Sequence, residues 1–367
     1  MKFTCKQSVL NEAVNNVSRA VPQKSPVSSL EGIKMYLDKN TLELTGYDLE
    51  LGIQTKIQVD SEDHGEFTVN AKLFAEIIRK MPSEDVSVEI NDKLKATIKG
   101  GDAEYNILAL SADDYPSMPD YDTSDSITIS QGLLKNMIGQ TIFAVSVSDN
   151  KPILTGELFD IENGIFNLVA IDGFRLAVRT EKLNTEDRHH FVVKAKALSE
   201  VSKLLKDDGD PVNMYLSRKH IVFDINGYMV ISRLLEGEFH NYKGSIPQNH
   251  STEIVLNTKA LIASLERCSL LIVEQTKAPV KCSFGDGQVK ISCSTTLGKL
   301  SDEFPVDITG NKVDIGFNCK YLLDALKAAE SDKVKLLLNG GLSPMKIVPI
   351  DGDAYTFLVL PVRLKSE

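Results

Sequence analysis

One phrase is written three times along this chain at a fixed interval. FTVNAKLFAEIIRKM opens at Phe67, FVVKAKALSEVSKLL at Phe191 and IGFNCKYLLDALKAA at Ile315, each 124 residues after the one before. Each runs from strand-like residues through a small residue and a lysine into apolar positions at helical spacing. A second set behaves alike. FTCKQSVLNEAVNNVSRAV starts at Phe3, ITISQGLLKNMIGQTIFAV 124 residues later at Ile127, and IVLNTKALIASLERCSLLI a further 127 on at Ile254. Gly32 and Gly156, and Asp48 and Asp172, also stand 124 apart. A period this long exceeds the roughly 20–50 residues of stacked repeat units, so the copies are whole domains.

Within each copy the pattern is strand, helix, several strands, then the same again. The first-copy helix takes Val9, Leu10, Ala13, Val14 and Val17 as its apolar stripe, the third-copy helix Leu261, Ile262 and Leu265. Residues 41–57 alternate clearly, residues 86–99 read as a hairpin turning at Asn91-Asp92, and Asn163-Gly164 is a strong turn signal. Two short helices and two sets of antiparallel strands per copy make an α+β pattern. The joints SADDYPSMPDYDTSDS (111–126) and GSIPQNHSTE (244–253) are rich in Pro, Ser, Asp and Asn. They place domains at 1–122, 123–249 and 250–367.

No metal-ligand spacing, phosphate loop or dinucleotide fingerprint appears, so neither catalysis nor a cofactor is called for. His189-His190 reads as a solvated pair in a polar loop, and DDGD at 207–210 as an exposed turn. There is no apolar run long enough to span a membrane and no secretory h-region. Five scattered cysteines without CxxC spacing fit reduced thiols, and the expected compartment is the cytoplasm.

A net charge of −10 argues against nucleic acid as a partner until its distribution is considered. The expected helices are 6–19, 71–80, 130–143, 195–206, 258–271 and 319–329, and every one holds more Lys and Arg than Asp and Glu. Helix propensity favours Lys, but it favours Glu equally, and Glu is not enriched. Lined up on one surface, six basic helices form a track for phosphate backbones without reading bases. The candidate contacts are Lys24, Lys72, Arg79, Lys80, Lys151, Lys196, Lys203 and Lys206; each alone reads as a solvated side chain, and the claim rests on their sum.

Three homologous α+β domains ending in LVLPVRL (358–364), with AIDGFRLAV (170–178), ISRLLEGEFHNYKGSIP (231–247) and SPMKI (343–347), resemble the bacterial DNA polymerase III beta subunit, the sliding-clamp family. The resemblance spans essentially the whole chain. It implies a non-catalytic head-to-tail homodimer closed into a ring of six domains around duplex DNA, helices lining the hole and sheets outside. Such a ring serves as a processivity factor for the replicative polymerase. It also implies a groove between the second and third domains that takes short peptides of the polymerase subunit, the clamp loader and other partners. The matching positions are Leu154, Ile171, Gly173, Phe174, Arg175, Leu176 and Pro247, with Leu342, Pro344, Leu358, Leu360, Pro361, Val362 and Arg363. The stems of Arg175 and Arg363 are expected to cover the slot while their guanidinium groups stay wet. The plain alternative is that FLVLPVRL is the last core strand. Phe174 stands where the family often has His, and His240 where it often has Pro. For ring closure the resemblance implies Tyr105 and Ile107 meeting Leu270 and Leu271. The competing function is a non-encircling three-domain scaffold that binds a protein or polyanion.

Overall fold

The computed structural model describes residues 1–124, 126–272 and 278–364. Six helices match the expected ones within two residues at each end: α1 (Gln7–Ser18), α2 (Ala71–Arg79), α3 (Gln131–Thr141), α4 (Ala195–Leu204), α5 (Thr258–Ser269) and α6 (Cys319–Ala328). The recurring phrase is the strand-to-helix junction ahead of α2, α4 and α6. At Asn70 and Asn318 the side chain turns back to accept from the first helical N–H groups, as Asn257 does for α5. This satisfies donors that a helix start leaves open. At the second copy of the phrase Lys194 replaces that asparagine.

The chain forms two compact units that do not coincide with the three copies. Residues 1–134 and 200–234 make the first, 135–199 and 235 onward the second. In the first unit, strands Lys2–Lys6, Asp85–Ile90, Lys95–Gly100 and Ala103–Ser111 pair in that order. The end of the last strand continues into His64–Asn70, Gly32–Asp38, Thr41–Tyr47 and Leu51–Gln58. That sheet runs on into Tyr228–Leu235, His220–Ile225, Pro211–Leu216 and Ser126–Ser130. Helices α1 and α2 pack side by side on it. Leu10, Ala13, Val14 and Val17 are buried as their spacing requires, but Val9 is 42% exposed and is not part of the stripe.

In the second unit one antiparallel sheet runs His189–Lys194, Gly156–Glu162, Ile165–Ile171, Arg175–Lys182, Tyr355–Val359, Met345–Val348, Lys333–Leu338, Thr252–Asn257 and Asp307–Gly310. A second sheet orders Gly298–Pro305, Gln288–Thr295, Val280–Gly285 and Val313–Phe317. The core between α5, α6 and these strands holds Leu261, Leu265, Phe317, Leu322, Leu336 and Phe357.

The repeated glycines have a steric cause. A Cβ on Gly32 would lie 2.7 Å from the Val69 carbonyl oxygen, and one on Gly156 2.4 Å from that of Val193. Both open the strand that pairs with the phrase strand, where the backbones approach too closely for a side chain. Asn163 and Gly164 take left-handed φ of 53° and 73°, as a two-residue hairpin demands. The first-copy hairpin turns over four residues, Asn91–Leu94, instead of at Asn91-Asp92 alone. The Asn91 carboxamide oxygen accepts from the Lys93 and Lys95 N–H groups there. His189 proves buried on its strand, and only His190 faces outward. All five cysteines are buried and unpaired. Among the described residues, no helix is long and apolar enough to cross a membrane.

Candidate functional site

The site grows from one turn in the second unit. Between strands Ile165–Ile171 and Arg175–Lys182, Asp172 accepts from the Phe174 N–H at 2.8 Å and the Arg175 N–H at 3.0 Å. Gly173 supplies the positive φ of 91° that closes it. Arg175 folds back inward: its Nε donates to Asp172 at 3.0 Å, and its Nη1 donates to Asp324 of α6 at 2.5 Å. Its guanidinium lies 4.4 Å from the Tyr321 ring centroid and 5.5 Å from that of Phe143. At 7% exposure it is a buried ion-paired strut. This corrects the expectation of a wet rim arginine, because two carboxylates and two aromatic faces outcompete water for that group.

The turn is locked to the chain's end. Arg175 pairs with Val359 and Leu176 with Leu358, joining the two halves of the sheet. The Leu360 N–H then donates to the Phe174 carbonyl and the Val362 N–H to that of Gly316, at 2.9 and 2.8 Å. Gly316 leaves room for this crossing, since a Cβ there would meet the Val362 oxygen at 2.6 Å. FLVLPVRL is therefore both: Tyr355–Val359 is a core strand, and Leu360 onward runs off it over the surface.

Beside that pairing lies a cavity of roughly 590 Å³, of the size that holds small ligands or peptide side chains. Eight of the expected groove residues line it: Leu154, Ile171, Gly173, Arg175, Leu176, Pro344, Leu358 and Leu360. Its floor continues into a buried cluster with Leu158, Val169, Phe239 and Tyr242. Phe174, Pro247, Leu342, Pro361, Val362 and Arg363 stand outside the lining. Phe174 is 58% exposed and stacks on Tyr321 with ring centroids 6.0 Å apart; Pro247 borders a separate small pocket.

Sequence reasoning missed Ile153, Glu238 and Ser245, gave Lys151 to DNA, and treated His240 only as a departure from the family. All five line the cavity. Lys151 and Ile153 are brought there by the short 3-10 turn Pro152–Thr155, the other three by the irregular segment 236–246 that leads into the second joint and has no periodicity to read.

The remaining candidates sit on the surface. Lys24, Lys72, Arg79, Lys80, Lys196, Lys203 and Lys206 are all exposed. Arg79 is engaged with Glu76 at 2.6 Å and Lys203 with Glu200 at 2.7 Å, exposed pairs that a phosphate can replace at little cost. Two corrections follow. Lys206 lies beyond α4, which ends at Leu204. Folded α1 excludes Lys6 and Arg19, so Glu12 is its one charged residue and the helix is not basic. Tyr105 is 41% exposed and Ile107 half-buried on Ala103–Ser111, a strand whose first six residues, among the described residues, pair on one side only. Leu108 on the same strand, not picked out from sequence, is 81% exposed. Leu270 is 78% exposed at the end of α5, whereas Leu271 packs against the core.

Fold and site together define a class: repeated antiparallel domains with paired helices, presenting an apolar peptide-sized slot where the strand Tyr355–Val359 joins two halves of one sheet. Family models for the DNA polymerase III beta subunit match in three parts, the N-terminal domain over residues 1–119, the central domain over 128–241 and the C-terminal domain over 243–363. The beta sliding clamp of Bacillus subtilis (strain 168) is 35% identical over 99% of this chain and all of its own length, and that of Halalkalibacterium halodurans 32%. Solved structures agree. The DNA polymerase sliding clamp from Bacillus subtilis superposes with TM-score 0.95 at 34% identity over the whole of both chains. A sliding clamp from Pseudomonas aeruginosa bound to griselimycin gives 0.93 at 26% identity, over 99% of this chain and all of that one. The chain belongs to the DNA polymerase III beta subunit family, the beta sliding clamps, with three clamp domains of α+β fold.

Proposed function

We propose that this chain is the processivity factor of a replicative DNA polymerase, a non-catalytic accessory subunit that closes head to tail with a second copy around duplex DNA. It acts in the cytoplasm. The single observation that carries the tethering half is the apolar cavity built where Arg175–Lys182 pairs with Tyr355–Val359. Its partners are short extended peptides with a Leu-Phe or similar pair plus a Gln, from the polymerase subunit, the clamp loader and others. Burying two such side chains contributes roughly 3–6 kcal/mol before ordering costs, which suits exchangeable binding.

Ring closure is supported by two strands with an edge unpaired among the described residues: Ala103–Ser111 along its first six residues in the first unit, and Gly298–Pro305 in the second. Tyr105 and Leu108, with half-buried Ile107, offer apolar surface at the first edge, and Leu270 at the end of α5 offers it in the second unit, with Leu271 packed beneath it. Open apolar edges are a liability unless another copy covers them. Identical contacts repeated head to tail close only when the rotation divides a full turn, which domains of one period favour. The domain bounds 1–122, 123–249 and 250–367 are taken at the two polar joints. DNA contact is assigned to Lys24, Lys72, Arg79, Lys80, Lys196, Lys203 and Lys206 as a sequence-independent set, while Lys151 is reassigned to the groove.

Retention on nicked circular DNA, with a loader present, tests the reading. The protein should stay on the circle and be lost on linearisation. Equal loss from both forms would favour the non-encircling scaffold.

A further inference from the structure

One wall of the cavity is irregular chain and not strand. Residues 239–246 carry His240 and Ser245 on the cavity side, joined by a 3.0 Å hydrogen bond. Phe239 and Tyr242 are buried on the other side. The backbone hydrogen bonds made here are local: the Ser245 N–H donates to Tyr242 and the Ile246 N–H to Lys243. Among the described residues, the polar tie from this segment to the sheet is a single carboxylate. Asp160, on strand Gly156–Glu162, accepts from the Tyr242 hydroxyl at 2.6 Å and from the Lys243 ammonium at 3.0 Å through one oxygen. Its other oxygen faces His190 Nδ1 at 3.3 Å from the neighbouring strand.

The first copy lacks this device. The position equivalent to Asp160 is Tyr36, 45% exposed, and the position equivalent to Tyr242 is Met118. There the joint is held by apolar packing of Met118 with Leu30, Tyr47 and Tyr115 and by backbone carbonyls in place of a carboxylate, the Tyr115 hydroxyl donating to that of Thr45 at 3.2 Å. The acid and its phenol partner thus occur together in the copy whose joint borders the cavity.

We infer that Asp160 is a positioning residue for peptide binding: working from behind the wall through Tyr242 and Lys243, it holds His240 and Ser245 where an incoming peptide meets them. The inference rests on the peptide-groove reading. A buried phenol that loses its acceptor is left unsatisfied, and an ammonium released beside it swings to water, so the wall has no other polar reason to stay in place. Burial opposes the charged carboxylate, but the hydrogen bonds from Tyr242, Lys243 and His190 outweigh it and hold Asp160 below the usual range. Burial, followed by that carboxylate, raises the Tyr242 phenol well above its ordinary value. The latch is set throughout neutral pH.

The test uses the full-length protein and a fluorescein-labelled nonapeptide carrying a Gln and a Leu-Phe pair, read by fluorescence polarisation. Asp160→Ala should weaken binding about tenfold, and Asp160→Asn and Tyr242→Phe about threefold each, with retention on circular DNA unchanged. In a His240→Ala/Ser245→Ala background, removing Asp160 should cost less than twofold, because the wall it positions no longer presents contacts. Affinities within twofold of wild type for both Asp160→Asn and Tyr242→Phe, which keep size and fold, would overturn the inference. So would an undiminished Asp160→Ala effect in the wall-stripped background, the mark of a merely structural role. Leu154→Asp, which blocks the slot itself, separates the two readings: if it too leaves binding intact, the groove reading fails along with this one.

Discussion

The same turn is built twice, and only one copy makes a site of it. In the first copy Asp48 accepts from the Glu50 and Leu51 N–H groups at 3.0 and 2.7 Å, as Asp172 does in the second copy from Phe174 and Arg175. Leu49 takes φ of 74° where Gly173 takes 91°. The backbone is one design; the side chains diverge. Where the second copy has Arg175, ion-paired to Asp172 and Asp324, the first has a buried Leu51. Where the cavity has Leu176, the first copy has Gly52. A Cβ on Gly52 would fall 2.3 Å from the Met118 sulfur, so the joint's own methionine occupies that space. Duplicated backbone therefore carries no function by itself. What differs is whether the chain fills its own slot or leaves it open.

The largest expected effect breaks the open copy directly. Deleting residues from Leu360 onward removes a cavity wall and the tail's bonds to Phe174 and Gly316, and should abolish peptide binding with the dimer intact. Polarisation titration and light scattering check both halves, and wild-type affinity in the truncated protein sinks the assignment. Next in size, Arg175→Ala should lower stability by about 3–5 kcal/mol in urea and peptide affinity more than tenfold, since Asp172 and Asp324 lose their buried partner. Leu51→Ala, at the matching position, should cost about 2–5 kcal/mol as a core truncation yet leave peptide affinity unchanged. Equal peptide losses would erase the contrast.

A third test uses Glu157, which stands where the first copy has the buried Ile33. Burial pushes its carboxyl up to about 8, opposed by the 2.5 Å hydrogen bond from Thr141. The folded value lies above the unfolded one, so the native state binds the extra proton between them. Stability is then highest below about 4.5 and falls as pH rises toward 8. Glu157→Gln should remove most of that loss, worth on the order of 4 kcal/mol at pH 9 and nothing at pH 4. Parallel thermal melts of wild type and variant over that range would expose the absence of such a gap.

The smallest effects come from exchanging the left-handed residues. Gly173→Leu meets no atom within 4 Å of its Cβ, so its cost is backbone strain alone, about 1–2 kcal/mol. Leu49→Gly should stabilise by about 0.5–1 kcal/mol, strain relief being partly offset by a looser unfolded chain. Chemical denaturation of the two single variants and the double exchange measures this, and a stabilising Gly173→Leu or a destabilising Leu49→Gly would mean the two turns are not conformational equivalents.

Much of this architecture was readable because its signals act over a few residues. Asn70, Asn257 and Asn318 each cap the helix that follows within one turn, and Leu10, Ala13, Val14 and Val17 declare a buried stripe by spacing alone. The repeat and the resemblance together reached eight residues of the cavity. Lys151 was not expected at the cavity because a lysine ahead of a short turn looks the same whether it faces solvent or a slot, and His240 was seen only as a departure. Arg175 was expected in water because nothing adjacent in sequence announces Asp324 or Tyr321, nearly 150 residues away.

The sequence by itself determined the three domains, the six helices and the strand alternation, for which the physics is local: caps, periodicity, and glycines where backbones meet. Only the tertiary structure decided that Tyr355–Val359 lies against Arg175–Lys182, that Met118 fills one slot while its counterpart stays open, and that Asp160 stands behind a wall with no periodicity. Those outcomes depend on which distant segments compete for the same buried space, a quantity no short window of residues contains.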